Sequence, residues 1–419
     1  MGDIAVSKCC RYLVDGREAV SFEAELPFPA GGGRPPELFL VRRNDAMGPA
    51  VWRVADARQL TAETVNVAWL DPRRLGPVPE LPPEVCAALE GGRLTGVNLC
   101  HPRWRQALEF SAPVPGKKRV HLLAVGDVGG TLLTALKLLG GKTLSAVGIC
   151  DLNENAVARW VSEMGQIDWP WEYGALPEVE AVEPERLFDC DVFLFAATKA
   201  VPPVGSGVQD VRMAQLAANR PLAESFARQA RKAGFRGLFI VLSDPVDPLC
   251  QAVWRASNLD GNGNWDGLGL LAEQVQGFGL GVMNARAAYF AKRDSRFASF
   301  LTEGRSFGPH GKGLVIANSV GQYDDALSRE LTDLTLEANL RIRDLGYKPY
   351  VAPAVSSGAM QLLLTLEGDW HCGSVPLDGV WFGCRNRFTA QGLELEAQEL
   401  PGLLFNRLRE TEAALKEMI

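Results

Sequence analysis

The stretch from Arg119 to Asp151, RVHLLAVGDVGGTLLTALKLLGGKTLSAVGICD, reads as strand, glycine turn, helix and second strand, closed by an acid. Val120 to Ala124 is a short apolar run of the kind a strand covered on both faces shows, and Gly126, Gly129 and Gly130 follow at once. Leu132, Leu133, Leu136 and Leu139 then recur at helical spacing, and Gly140-Gly141 supplies the stop that a helix C-terminus favours. A second apolar run, Leu144 to Cys150, ends at Asp151, 25 positions past Gly126.

This order has a physical use. In a Rossmann unit the glycines let backbone N–H groups approach a diphosphate at a helix N-terminus, where the helix dipole favours negative charge, and the acid after the second strand takes the ribose hydroxyls. Gly126, Val128, Gly129 and Asp151 are therefore the candidate cofactor residues, with Ala197 at the end of a later buried strand, DVFLFAA from Asp191. A carboxylate at 151 repels a 2′-phosphate, so NAD is expected rather than NADP. Ala124 stands where GxGxxG has its first glycine, and Asp127 brings a charge close to where phosphates would lie. The same turn also fits an α/β sheet that binds no nucleotide.

Working outward, the fold class expected is α/β. A Rossmann-type doubly wound parallel sheet over 119–260 is followed by an α+β substrate domain over 261–419 and preceded by a small strand-rich domain over 1–110, with SAPVPGKK, 111–118, as linker. Within 1–110, alternating runs such as Ala19 to Leu26 are broken by prolines and Gly31-Gly32-Gly33. Arg212 to Ala233 is a long helical pattern interrupted near Pro221, and Leu238 to Leu242 is a strand running into Ser243-Asp244-Pro245-Val246-Asp247. Leu327, Leu331, Leu334, Ala338, Ile342 and Leu345 share one helical face, which reads as a core-facing helix or, more sharply, as an oligomer seam. Asp260 to Gly267 superficially suggests a calcium loop, but Trp265 sits where a glycine is needed, so it reads as a surface loop.

Composition narrows the function. A net charge of −7 and no basic stripe argue against a nucleic-acid partner. Nine cysteines without a CxxC pair suggest neither a zinc site nor a disulfide framework, so no metal is expected and a reduced, cytoplasmic setting is. No stretch approaches the roughly 20 apolar residues of a membrane span, and no leader is apparent.

From about Arg119 to the C-terminus, the series of motifs resembles the lactate/malate dehydrogenase family. AVGDVG looks like its GxGxVG, and SDPVD at Ser243–Asp247 resembles its SNPVD strand end. Arg212 and Asn219 resemble the mobile-loop arginine that polarises the substrate carbonyl and its following asparagine. GFGLGVMNARAAYF, 277–290, resembles the segment whose arginine, here Arg286, takes the substrate carboxylate, and FGPHGKG, 307–313, places the catalytic histidine at His310. LGYKPY, 345–350, resembles the segment that closes over the substrate. The resemblance implies a 2-hydroxy or 2-oxo acid as substrate, NAD as cofactor and a homo-oligomer, dimer or tetramer. Hydride transfer needs a base for the hydroxyl proton, a cation for the developing alkoxide and a second cation for the carboxylate. His310, Arg212 and Arg286 suit these roles in turn.

Three departures stand out. Met283 replaces the carboxylate that orients the family's histidine, which implies a looser imidazole. Asp244 replaces an asparagine that donates to the substrate, and Lys348 replaces a small hydroxyl residue beside it. One expectation is that Asp244 partners His310 in compensation while Lys348 adds positive charge for a larger or more anionic substrate. The alternative is a catalytically inactive or repurposed relative that binds NAD or a metabolite for regulation or interaction.

Overall fold

The structure is a computed structural model that describes residues 9–45, 47–110, 116–199 and 211–418; the side chains of Val211 and Arg212 lie outside the described set. Five short strands come first: β1 (Cys10–Val14), β2 (Arg17–Ser21), β3 (Leu38–Val41), β4 (Val51–Arg53) and β5 (Thr95–Asn98). Six follow between helices: β6 (Lys118–Leu123), β7 (Leu144–Cys150), β8 (Glu178–Ala181), β9 (Val192–Phe195), β10 (Leu238–Val241) and β11 (Val275–Gly277). The pair β12 (Arg305–Phe307) and β13 (Val315–Ala317) stands apart, and β14 (His371–Leu377), β15 (Val380–Thr389) and β16 (Gly392–Leu395) complete the set.

The block from β6 to β11 is parallel throughout, in the spatial order β8-β7-β6-β9-β10-β11. This is the doubly wound arrangement, whose chain direction of build-up reverses between β6 and β9, and ligands bind at the carboxyl ends of such a switch point. Side-chain alternation explains the two covered faces. Leu122, Leu194 and Ile240 pack with Leu132, Leu133 and Leu136 of the helix Asp127–Leu139 on one side. Phe193, Phe195 and Phe239, each offset by one residue, pack on the other with Ala223, Ala227 and Ala230 of the helix Val211–Lys232. That helix runs through Pro221 without the expected interruption. The lost backbone hydrogen bond is outweighed by burial of Leu216 before the proline and of Ala223, Ala227 and Ala230 after it.

The N-terminal strands are part of the same sheet. Beyond β11 it continues antiparallel through β14, β15 and β16, and β16 meets β4 at the single pair Leu393–Trp52, which leads on to β5, β3, β2 and β1. Glu394 of β16 forms an ion pair with Arg53 of β4 across this junction and a second with Arg387 of the neighbouring β15. Glu273 secures the same face from inside: its fully buried carboxylate accepts hydrogen bonds from the Ala50 and Val51 N–H groups at 3.2 Å.

The helix Asp325–Asp344 keeps only half of its expected core face. Leu331 is buried, but Ile342 is 40% and Leu345 70% exposed, because the helix runs past the body of the molecule beyond Ala338. The final helix, Gly402–Glu417, buries Leu404, Leu408 and Leu415 as its spacing predicts. Among the described residues, no helix is long and apolar enough to cross a membrane, and no cluster of three metal-ligating side chains occurs. The loop at Asp260 is a turn in which the Asp260 carboxylate accepts from the Asn262 and Asn264 N–H groups.

Burial pushes the Glu273 carboxyl up to about 7 from 4.5. Its folded state therefore holds a proton that the unfolded chain releases, so its contribution is full below pH 4.5 and is lost as pH rises through 7, a span worth about 3 kcal/mol. Urea unfolding of the wild type should show stability falling across that interval, and Glu273→Gln should flatten the fall.

Candidate active site

The chemical groups come from three places: Asp244 from the loop after β10, Arg286 from the helix after β11, and His310 from the loop between β12 and β13. After β11 the chain passes through Phe278 and Gly279 into the helix Leu280–Ala291. The Gly279 carbonyl accepts two hydrogen bonds, from His310 Nδ1 at 2.9 Å and from the Ser357 hydroxyl at 3.0 Å. A carbonyl can only accept, so Nδ1 carries the proton, and in the neutral ring Nε2 presents its lone pair. Position 279 must be glycine for this contact: a Cβ there would lie 2.6 Å from His310 Cβ.

The backbone of the His310 loop is fixed separately. Its N–H donates to Asp247 Oδ2 at 3.1 Å, and the other oxygen of that carboxylate accepts from the Ser374 hydroxyl of β14. Asp247 is 3% exposed, so the charge is buried and satisfied by these partners. Thus a backbone carbonyl holds the imidazole and the Asp247 carboxylate holds the backbone beneath it, with Met283 at the position where the resemblance implies a carboxylate.

His310 Nε2 faces Asp244 Oδ1 at 3.8 Å, beyond hydrogen-bond length. Asp244 is half-exposed, and its negative charge also acts on Arg286. Burial holds the Arg286 guanidinium below its ordinary value, and Asp244 works against that shift. Arg286 Nη1 lies 3.7 Å from the Met283 sulfur. His310, Asp244 and Arg286, drawn from three separate segments, therefore form one cluster.

Other expected residues take different places. Asn219 is completely buried, donating from Nδ2 to the Asp244 carbonyl at 2.8 Å and accepting the Lys199 N–H at 2.9 Å. It positions the strand ends and has no amide face left for a substrate. Ser243 adds a second tie, donating to the Ala197 carbonyl at 2.7 Å. Lys348 does not join the substrate cluster: its Nζ lies 2.8 Å from Asp127 Oδ2, at the glycine turn. LGYKPY is irregular rather than helical, because Gly346 takes φ +84° and a π-helical stretch begins only at Pro353. Arg212 begins the helix Val211–Lys232, and its side chain lies outside the described residues, as do 200–210 before it.

The glycine turn fits a diphosphate. Ala124, where the motif lacks its glycine, nevertheless adopts φ +74°, the left-handed region the motif requires. Gly129 packs against it so closely that a Cβ would lie 2.0 Å from the Ala124 carbonyl oxygen, whereas a Cβ on Gly126 would meet nothing within 4 Å. The open space thus lies on the side where a ligand would approach the helix N-terminus. Asp151 Oδ2 accepts the Val125 N–H at 2.9 Å, and Val128 packs partly buried against the core. A cavity of about 660 Å³ adjoins the turn, lined by Gly126, Asp127, Arg159, Trp160, Tyr350 and Val355.

Sequence reasoning missed Gly279, Asp247, Ser374 and Trp160. Asp247 was visible as the last residue of SDPVD, but nothing local signals that its partner is a loop 63 positions away. Trp160 donates to the Val125 carbonyl at 3.2 Å and covers Gly130, a contact that only the packing of two helices creates.

Gly279→Ala should displace His310 and lower unfolding stability by about 1–3 kcal/mol, the usual range for overpacking. Chemical denaturation of the purified variant checks this.

No family model matches the chain. It is 25% identical over 247 residues to an L-lactate dehydrogenase of Corynebacterium jeikeium, covering 57% of this chain and 69% of that protein. It is 26% identical over 233 residues to an L-lactate dehydrogenase of Halalkalibacterium halodurans, covering 55% and 68%. Among solved structures, a lactate dehydrogenase from a Medee basin deep-sea metagenome library superposes with a TM-score of 0.57 at 16% identity, over 72% of this chain and 98% of that one. The minor L-lactate dehydrogenase of Enterococcus mundtii gives 0.56 at 18%, over 72% and 97%. With the parallel order β8-β7-β6-β9-β10-β11, these likenesses show a chain similar in sequence to L-lactate dehydrogenases and in fold to the two solved lactate dehydrogenases.

Proposed function

We propose that this protein is an NAD-dependent oxidoreductase that interconverts a 2-hydroxy acid and its 2-oxo acid, with a site altered at Met283 and Asp244. The observation that carries this reading is the His310 imidazole, whose Nδ1–H is bound to the Gly279 carbonyl at 2.9 Å so that Nε2 faces Asp244, whose charge also acts on Arg286. Such a ring is a base for a substrate hydroxyl proton. The Arg286 guanidinium, partly buried beside the Met283 sulfur, suits a substrate carboxylate. Bound NAD would supply the hydride acceptor, held by the open face of Gly126, the first turn after it and Asp151. The Arg212 guanidinium is the residue proposed to hold the developing alkoxide.

The reading extends to a cytoplasmic homo-oligomer acting on a small carboxylic acid, without nucleic acid or membrane. The exposed side chains of Leu340, Ile342, Leu345 and Tyr347 support an assembly contact, and the described cysteines are all free thiols. A second reading, a relative that binds NAD or a metabolite without turning it over, is favoured by one feature: the ion pair between Lys348 and Asp127 at the glycine turn.

Incubation with NADH and a panel of 2-oxo acids, followed by NADH absorbance, separates the two. Turnover of at least one acid, reduced about a hundredfold or more in kcat/KM by His310→Gln, supports the enzyme. Binding of NADH with no turnover of any acid supports the second reading. Asp244→Asn removes a carboxylate facing an anionic substrate, so it should lower KM for simple 2-oxo acids by about tenfold with kcat largely retained.

A further inference from the structure

The segment that carries Lys348 reaches across the cleft to the glycine turn, 221 positions back in the chain, and puts an ammonium group beside the first turn of the helix Asp127–Leu139. Two charges meet there that neither the fold nor the catalytic cluster needs. Asp127 is the residue after the open Gly126, so its carboxylate sits where backbone N–H groups and the helix dipole favour an anion. Lys348 is the cation nearest that carboxylate, at 2.8 Å, and its side chain is 80% exposed against 49% for Asp127. An ion pair this exposed is weak and readily exchanged. Tyr350 and Val355, from the same returning segment, line the cavity that Gly126 and Asp127 open into, so the pair lies at the rim of a space large enough for part of a nucleotide.

Resting on the NAD reading above, we propose that Lys348 is a ligand for the dinucleotide's diphosphate, and that Asp127 is a built-in stand-in for that diphosphate, giving up Lys348 when the nucleotide binds. No covalent step is involved; one anionic partner of a single ammonium group replaces another. The exchange makes Asp127 a determinant of affinity. A phosphate carries more charge and more acceptor oxygens than a carboxylate and so competes well for Lys348, while Asp127, once released, repels it. The chain therefore binds its nucleotide more weakly than the turn alone would permit.

Binding titrations on the full chain test this, using NADH, ADP-ribose and adenosine followed by quenching of tryptophan fluorescence, with thermal unfolding of each free variant as a folding control. Asp127→Asn should tighten NADH and ADP-ribose about fivefold, and Lys348→Gln should weaken both about tenfold and flatten their dependence on salt. Adenosine, which lacks phosphate, should bind all three proteins alike. A tighter-binding variant cannot be explained by misfolding. If the wild type binds NADH and both variants match it within twofold, or if adenosine shifts in parallel, the exchange is overturned and the NAD reading survives. If neither the wild type nor Asp127→Asn binds NADH or ADP-ribose, the NAD reading falls and this inference falls with it.

Discussion

Six parallel strands covered on both faces impose the geometry of this molecule. A parallel pair cannot be closed by a tight turn, so each connection must cross over the sheet, and the chain leaves every strand at the same edge. Leu123, Phe195, Val241 and Gly277 are the last residues of β6, β9, β10 and β11, and the loops that follow them hold Ala124 to Gly126, Ala197, Asp244 and Gly279. Residues scattered over 150 positions are neighbours for that reason. The apolar alternation of Leu194 with Phe193 and Phe195, or Ile240 with Phe239 and Val241, is the energetic basis: each strand feeds two cores at once, and slipping by one residue would exchange them.

The histidine is held by a different logic from the one its resemblance implies. A carboxylate partner both aims an imidazole and stabilises its protonated form, whereas the Gly279 carbonyl aims it with a smaller electrostatic pull. Orientation is kept, and Asp244 stands on the Nε2 side at 3.8 Å rather than behind the ring. Among the described residues, Asp244 and Arg286 then stand as opposite charges in one cluster.

Much of this was legible in the chain. The strand-turn-helix-strand run at Arg119–Asp151 stood out because each element had its own period, and the motifs around Arg286 and His310 were local enough to read. A partnership of Asp244 with His310 was expected from the departures at Met283 and Asp244, and the two lie 3.8 Å apart, longer than a hydrogen bond. What escaped notice depends on packing between distant segments. Ala124 is an alanine in a conformation that usually calls for glycine, and no neighbouring residue announces it. Asn219 and Lys348 were of the right type at the right spacing, yet one is drawn into backbone bonds and the other across the cleft, because partners from elsewhere in the fold compete for them. The helix Asp325–Asp344 shows the same limit, since a regular apolar stripe does not reveal where its neighbour ends.

The junction between β4 and β16 carries one more implication. Because the N-terminal strands complete a sheet edge that β16 otherwise leaves bare, they act as a cover for the dehydrogenase-like body as well as an addition to it. A chain lacking these strands would present unpaired amide and carbonyl groups, a Glu394 left with Arg387 alone and the apolar flank once shielded by Trp52. Such a fragment would tend to stack edge to edge with its own kind, so evolution could not shed the first hundred residues without first redesigning the strand they protect.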